Sequence, residues 1–197
     1  MPKQNPPPLD EEPKLVVPHL YLDTNILLDV FHDRRDVSVV VVENARNRKW
    51  FCSTSHFTLM EMADAEQEER YVADVLREGG RLRDAYRSLR DKKLADDVLK
   101  QMFNRMMRKF SVRYPFIRFY GLRDEGLDEA IRLCGTTNID APDCIHLATA
   151  KEAGCDLLVT NDDPFWRLAR DIEPEYIRVA KPDKVDEELR SMGFRWS

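Results

Sequence analysis

The sequence predicts an α/β fold in which helices cover both faces of a parallel sheet. Four short apolar runs, at 16–22, 50–55, 115–122 and 155–163, have the composition of buried strands. Longer stretches with helical spacing separate them, and strands that alternate with helices form parallel sheets. The chain has 197 residues, of which 43% are hydrophobic, so one domain with a substantial core is expected.

The first half of the chain alternates strand and helix. The strand at 16–22 leads into a helix that opens near Asn25. The valine-rich run at 37–42 is ambiguous, because β-branched residues favour strands while its apolar spacing also fits a helical face. We favour a helix there. After the strand at 50–55, a helix is predicted to begin at His56.

Residues 66–112 are predicted to form a helical insertion. Helix-forming residues fill it, and the interruption at Gly79 and Gly80 predicts two helices joined there. From Arg81 to Arg118 there are twelve Lys or Arg against four Asp, a net charge of +8 in a chain whose total is −5. Such a segment either binds phosphates or is a solvated helix face. The candidate phosphate-binding residues are Arg105, Arg108 and Lys109.

Beyond the insertion, the strand and helix pattern resumes. The strand at 115–122 is followed by a short helix at 126–135. The next helix is predicted to open at Asp140, with Pro142 in its first turn, and to run through Ala153. The last apolar strand follows and ends in acidic residues.

The domain organisation is predicted from composition. Residues 1–14 contain five prolines and form a disordered leader, 15–180 form a single domain, and 181–197 are a C-terminal extension. The leader lacks the apolar core of a signal peptide, and no run approaches the roughly 20 apolar residues of a membrane helix. Four cysteines without a CxxC pair suit free thiols in a reducing compartment. Because a zinc site needs clustered Cys and His, no zinc site is expected. A cytoplasmic location without membrane contact is expected.

Four acids are predicted to meet at one edge of the sheet. Asp23 ends the first strand, Glu61 lies on the helix after the second strand, Asp143 lies in a first helical turn, and Asp162 ends the last strand. Ligand sites in such folds lie at the carboxyl ends of the strands. Because clustered carboxylates repel one another, the arrangement favours binding of one or two Mg²⁺ or Mn²⁺ ions.

Helix capping is a competing role for these acids, because Asp favours N-caps and turns. Asp140 and Asp143 compete at one helix. We assign Asp140 as the cap and Asp143 as the ligand, because Asp143 shares a helical face with His146. Of Asp162 and Asp163, one is expected to cap the following turn. The histidine is interpreted as a buried, hydrogen-bonded residue rather than a catalytic base.

Three stretches carry a resemblance to a known family. LYLDTNILLDVF, STSHFTLMEMADA and NIDAPDCIHLATAKEAGCDLLVTNDDPF resemble the PIN domain family, which includes the VapC-type toxin ribonucleases. The resemblance implies a three-layer α/β/α sandwich around a central parallel sheet and metal-dependent cleavage of single-stranded RNA. It implies catalytic, metal-binding acids at Asp23, Glu61, Asp143 and Asp162, supported by Thr24, Asn25, Thr160 and Asn161.

The resemblance also implies partners, namely an RNA substrate, an antitoxin protein and a second copy of the chain. A homodimer is favoured further by an apolar stripe along one predicted helix, which suits either a partner or the domain's own core. The stripe consists of Val98, Met102, Met106 and Phe110, widened by Phe103 and Met107. The sequence departs from compact toxins in the 82 positions between Glu61 and Asp143, which weakens the toxin assignment more than the nuclease assignment.

Other acidic sites fit the sequence less well. A haloacid-type phosphatase needs a second Asp where Asn25 stands, and a receiver domain needs a lysine after its last strand. No GxxxxGK[ST] or GxGxxG motif supports nucleotide binding. The alternative to a nuclease is a non-catalytic PIN-fold module that binds RNA or protein through the helical insertion.

Overall fold

The computed structural model describes residues 17–89, 96–172 and 176–196. Within them, five parallel strands form one sheet with the order β3-β2-β1-β4-β5. The strands are β1 (His19–Leu22), β2 (Phe51–Ser55), β3 (Ile117–Tyr120), β4 (Leu157–Val159) and β5 (Arg178–Ala180). The helices are α1 (Thr24–His32), α2 (Asp36–Asn47), α3 (His56–Arg77), α4 (Leu82–Arg87), α5 (Asp96–Arg113), α6 (Asp124–Thr136), α7 (Ala141–Glu152), α8 (Asp163–Arg170) and α9 (Val185–Ser191).

The fold is the predicted three-layer α/β/α sandwich. Successive strand residues point to opposite faces, so Leu20 and Leu22 join one core while Tyr21 joins the other. Helices α1, α2, α3, α5 and α9 pack on the first face, and α6, α7 and α8 pack on the second. The strand order reverses direction beside β1, so the carboxyl ends of β1 and β4 form the crevice where such folds place their sites.

Most predicted elements are confirmed, with shifted ends. The valine-rich run forms part of α2, as favoured. The insertion differs from the predicted pair of helices, because α3 continues from His56 to Arg77 without a break at Glu66 and both α4 and α5 follow the glycines. Strand β5 and helices α8 and α9 were not predicted. The proline-rich leader lies outside the described residues.

The C-terminal residues pack against the body of the domain. Val185 and Leu189 are buried in the same core as α1 and α2. The Arg48 guanidinium lies 5.0 Å from the ring centres of both Trp50 and Trp196, so it joins the chain's end to the start of β2. Among the described residues, no helix is both long enough and apolar enough to cross a bilayer.

The apolar stripe on α5 belongs to the core of the same chain. Met102, Met106 and Phe110 are buried, and the Phe110 ring stacks on Phe31 of α1 with 6.2 Å between ring centres. Only the flanking Phe103 keeps substantial exposure, at 38%. Of the two roles that the sequence left open for the stripe, packing within the chain is the one observed, so the stripe gives no support to a homodimer.

Candidate active site

Asp23 lies at the centre of the predicted edge and is 3% exposed. It follows β1 and is the N-cap residue of α1, where its Oδ1 accepts a hydrogen bond from the Thr24 amide at 2.7 Å. Its Oδ2 accepts bonds from Asn25 Nδ2 at 2.5 Å and from Thr160 Oγ1 at 2.6 Å. One carboxylate oxygen of Asp23 therefore caps α1, while the other binds side chains from the loops after β1 and β4.

The loops after β1 and β4 are joined by side-chain hydrogen bonds. Asn25 Oδ1 accepts the Asn161 amide at 2.8 Å, and Asn161 Nδ2 donates to Asp29 Oδ2 at 2.6 Å. Thr160 Oγ1 accepts the Asp162 amide at 2.9 Å. The residues expected to support the acids thus connect the two loops that carry Asp23 and Asp162. Asp29 was not singled out from the sequence.

The acids that the sequence offered as alternative helix caps occupy different positions. Asp162 is the N-cap of α8 and accepts the Phe165 amide at 2.8 Å, while Asp163 pairs with Lys181 at 2.6 Å on the surface. Asp140 occupies the N-cap position of α7, as predicted, but its side chain makes no capping hydrogen bond. Asp143 lies in the first turn of the same helix.

Glu61 is held in place by side chains from two other elements. Its Oε2 accepts a short hydrogen bond from Thr24 Oγ1 and lies 2.7 Å from His146 Nε2. On the other side of the ring, His146 Nδ1 lies 2.8 Å from the Tyr21 hydroxyl. His146 is 1% exposed, so the interpretation as a buried, bonded histidine agrees with its surroundings. It nevertheless touches a predicted site residue.

The carboxylates influence one another electrostatically. Burial, together with the nearby charges of Asp23 and Asp162, raises the pKa of Asp143 to about 7. Burial also raises the pKa of Asp23, against the opposing effects of His146 and of the bonds from Thr160 and Thr24. Asp23 and Asp162 are therefore close enough to Asp143 to disfavour its ionised form.

Glu61 and His146 behave as an ion pair. Burial opposes the charge on Glu61, but the hydrogen bond and positive charge of His146 and the bond from Thr24 outweigh it, so the pKa of Glu61 is lowered. Burial likewise opposes a charged His146, but Glu61, Asp23 and Asp143 raise its pKa above the ordinary value. His146 Nε2 also lies 3.6 Å from Asp23 Oδ1.

These residues fit a hard divalent cation. The donor set consists of carboxylate oxygens, which Mg²⁺ and Mn²⁺ prefer. Burial is the largest cause of the raised pKa of Asp143, and the charges of Asp23 and Asp162 add to it, so a bound dication would favour the ionised carboxylate. Asp23, Asp143 and Asp162 would hold the ion, with Glu61 bound directly or through water.

The predicted phosphate-binding residues lie on α5, in differing environments. Arg108 is exposed, whereas Lys109 Nζ donates to the Phe31 carbonyl and lies 4.4 Å from the centre of the Phe31 ring. The Arg105 guanidinium lies 5.9 Å from the same ring centre. Burial, together with repulsion from Arg113 and Arg105, lowers the pKa of Lys109. Lys109 therefore holds α5 to α1, and Arg108 is the most available of the three.

Comparison with known proteins gives one family and several solved structures. A toxin–antitoxin complex from Klebsiella pneumoniae is similar at 16% identity and a TM-score of 0.48, covering 83% of this chain and 97% of that one. VapBC2 from Rickettsia felis, bound to a DNA fragment from its promoter, is similar at 14% identity with the same TM-score, covering 83% and 98%. No curated protein sequence gives a significant match. The PIN domain family matches residues 110–171, which carry Asp143 and Asp162, and this match confirms the predicted resemblance to that family.

Proposed function

We propose that this chain is a metal-dependent endoribonuclease that hydrolyses phosphodiester bonds of single-stranded RNA. One observation supports this proposal most directly, and it concerns Asp143 in the first turn of α7. Burial raises its pKa to about 7, and the nearby charges of Asp23 and Asp162, which follow β1 and β4, add to that effect. Such crowding costs stability unless a cation binds. A site for one or two Mg²⁺ or Mn²⁺ ions would account for carboxylates placed so close together.

Each residue has a role in this proposal. Asp23, Asp143 and Asp162 hold the cation, whose chemistry when bound is to polarise the phosphate and to lower the pKa of a water molecule. Glu61 accepts both of its hydrogen bonds, from Thr24 and His146, at Oε2, which leaves Oε1 for a metal or a water. Because the pKa of Glu61 is lowered, its carboxylate is ionised at neutral pH and can accept a proton from the attacking water.

The RNA strand is proposed to reach the site from the basic side of the molecule. Arg108 on α5 offers an exposed charge for a phosphate, while Arg105 and Lys109 lie against Phe31. A toxin role with an antitoxin partner is proposed on the resemblance to VapC-type sequences. Two observations together would support that role: a neighbouring gene that encodes a small DNA-binding protein, and co-purification of that protein with this chain.

Asp23→Asn is the principal test of the nuclease proposal. We expect at least a hundredfold loss of Mn²⁺-dependent RNA cleavage and weaker Mn²⁺ binding by calorimetry, because the buried ligand loses its charge. The fold should persist. No net gain in stability is expected, since the new amide would face the donor groups of Asn25 and Thr160 and so offset the relieved repulsion.

The control is Asp163→Asn, which removes a neighbouring surface acid that pairs with Lys181. It should cleave RNA like the wild type, and EDTA should abolish both activities. Full activity in Asp23→Asn would show that the site is wrongly assigned. A folded wild-type protein that binds RNA without cleaving it in Mg²⁺ or Mn²⁺ would favour the non-catalytic alternative.

A further inference from the structure

A second group of metal-ligating side chains lies outside the carboxylate crevice. His32 is the last residue of α1, and Glu66 and Glu69 are three apart on one face of α3. One ligand atom from each lies within 4.8 Å of the others. Bound to one tetrahedral zinc ion, such atoms would be about 3.3 Å apart, so small side-chain rotations would suffice.

The contact within this group is unusual. His32 Nε2 and Glu66 Oε1 approach to 2.5 Å as a close ion pair, and both atoms are fully buried. So close an approach of a nitrogen and an oxygen that each carry a lone pair requires a positive charge between or beside them, which either a proton or a metal ion can supply. The side chains are 20% and 11% exposed, so bulk water does little to screen this contact.

We propose that His32, Glu66 and Glu69 form a second metal site, selective for Zn²⁺ or a similar transition-metal ion. One imidazole and two carboxylates with an open fourth position match the ligands that zinc accepts. Mg²⁺ rarely takes a nitrogen ligand, so this site and the carboxylate crevice would select different ions.

Two basic side chains lie near the group: after burial, the charges of Arg34 and Lys109 lower the pKa of His32. Arg34 makes a short ion pair with Glu69, whose side chain is 50% exposed. A bound ion would displace this guanidinium toward solvent at little cost, because exposed ion pairs contribute little. The more buried His32 and Glu66 would supply the stronger ligands.

The position of the group gives it a consequence for the active site. Helix α1 begins with Thr24 and Asn25, and α3 carries Glu61 near its start. The proposed ion would lie about 12 Å from Thr24 along the axis of α1, where it would fasten the end of α1 to the middle of α3. It would therefore stabilise the pairing of Thr24 with Glu61 without touching the substrate.

The test measures Zn²⁺ binding to the full chain in an Asp23→Asn background, which weakens the crevice as a competing site. We expect His32→Gln and Glu69→Gln each to weaken Zn²⁺ binding at least tenfold in calorimetric titrations. Co²⁺ should give the visible absorption of a tetrahedral site in the parent and lose it in His32→Gln. Arg34→Gln should tighten binding about twofold to fivefold, because it removes the competing cation.

His56→Gln serves as the matched control, since His56 begins α3 but lies outside the group. It should bind Zn²⁺ like the parent. Glu69 is exposed, so Glu69→Gln should fold even if His32→Gln does not. Equal Zn²⁺ affinity in the parent and in folded Glu69→Gln or His32→Gln would overturn the proposal. Neither outcome depends on RNA cleavage, so this site and the nuclease proposal can fail separately.

Discussion

Asp23 and Asp162 combine an observed capping role with a proposed metal-binding role. Each is the N-cap of a helix, and each is also a predicted metal ligand. Asp162 uses Oδ1 to accept the Phe165 amide, and Asp23 divides its partners between both oxygens. The capping and ligand roles weighed from the sequence are therefore not exclusive. The capping hydrogen bonds also fix the orientation in which the carboxylates would meet a cation.

The ionisation of the crevice predicts how stability changes with pH. Asp143 has a pKa of about 7 in the folded protein, above its ordinary value, so the folded state keeps a proton that the unfolded state has lost between about pH 4 and pH 7. The metal-free protein should therefore lose stability as pH rises through this range. The raised pKa values of Asp23 and His146 act in the same direction, while Glu61 acts in the opposite direction at low pH.

Urea unfolding in EDTA at several pH values measures this effect. Because Asp143 is only partly buried, we expect its contribution to be roughly 1–2 kcal/mol after solvent screening. Asp143→Asn should flatten the dependence between pH 4 and pH 7, and saturating Mn²⁺ should do so in the wild type. A wild-type stability that rises across this range would contradict the proposed crowding.

The residue contacts show what the sequence could not reveal. Asp23 and Asp162 could be placed because each follows a recognisable apolar strand. The contact between His146 and Glu61 could not, because 85 positions separate the two residues and no local pattern links them. The same holds for His32 with Glu66 and Glu69. Side-chain partners from different helices depend on how those helices pack.

At the scale of elements, long periodic segments and continuous apolar runs were predictable, whereas short elements without either signal were not. The spacing in the valine-rich run favoured helix α2, and tertiary packing agrees, since Val41, Val42 and Ala45 are buried. Strand β5 has only three residues and, unlike the equally short β4, begins with a charged residue, so neither a period nor an apolar run marks it. The apolar face of α5 could be recognised in the sequence, but α1 could not be identified as the element that packs on it. Apolar spacing shows that a helix face is buried, not which element buries it.

The environment of α5 sharpens the prediction about RNA. We expect Arg108→Glu to weaken binding of single-stranded RNA and to reduce the salt dependence of that binding, because one exposed phosphate contact is replaced by repulsion. Its stability should stay within about 0.5 kcal/mol of the wild type. Lys109→Glu is expected to lower stability as well, since Lys109 contacts the Phe31 carbonyl and ring.

The affinity for single-stranded RNA, measured across a salt series, separates the effects of Arg108→Glu and Lys109→Glu. The measurements are made in an Asp23→Asn background, which is expected not to cleave the RNA. Asp97→Asn on the same helix is a suitable control, because it alters a charge without removing a cation. If Arg108→Glu leaves the affinity unchanged at every salt concentration, the basic segment is a solvated helix face.

At the scale of the whole molecule, the proposed homodimer now rests on the family resemblance alone. The apolar stripe on α5 packs against the core of its own chain, where Met106 is 1% exposed. We therefore expect Met106→Ala to cost about 2–5 kcal/mol of stability by leaving a cavity, without changing the molecular mass in solution. Phe103→Ala, on the exposed side of α5, should cost far less.

Light scattering over a wide concentration range, combined with urea unfolding of both variants, tests this expectation. If folded Met106→Ala keeps the mass of a dimer, the dimer contact lies elsewhere on the surface. That result is expected if the stripe on α5 is buried within each chain. A monomer mass for the wild type at every concentration would show that the homodimer prediction is wrong. A dimer that Met106→Ala dissociates at full stability would mean that the stripe pairs between chains, contrary to the packing of Met106 and Phe110 against α1.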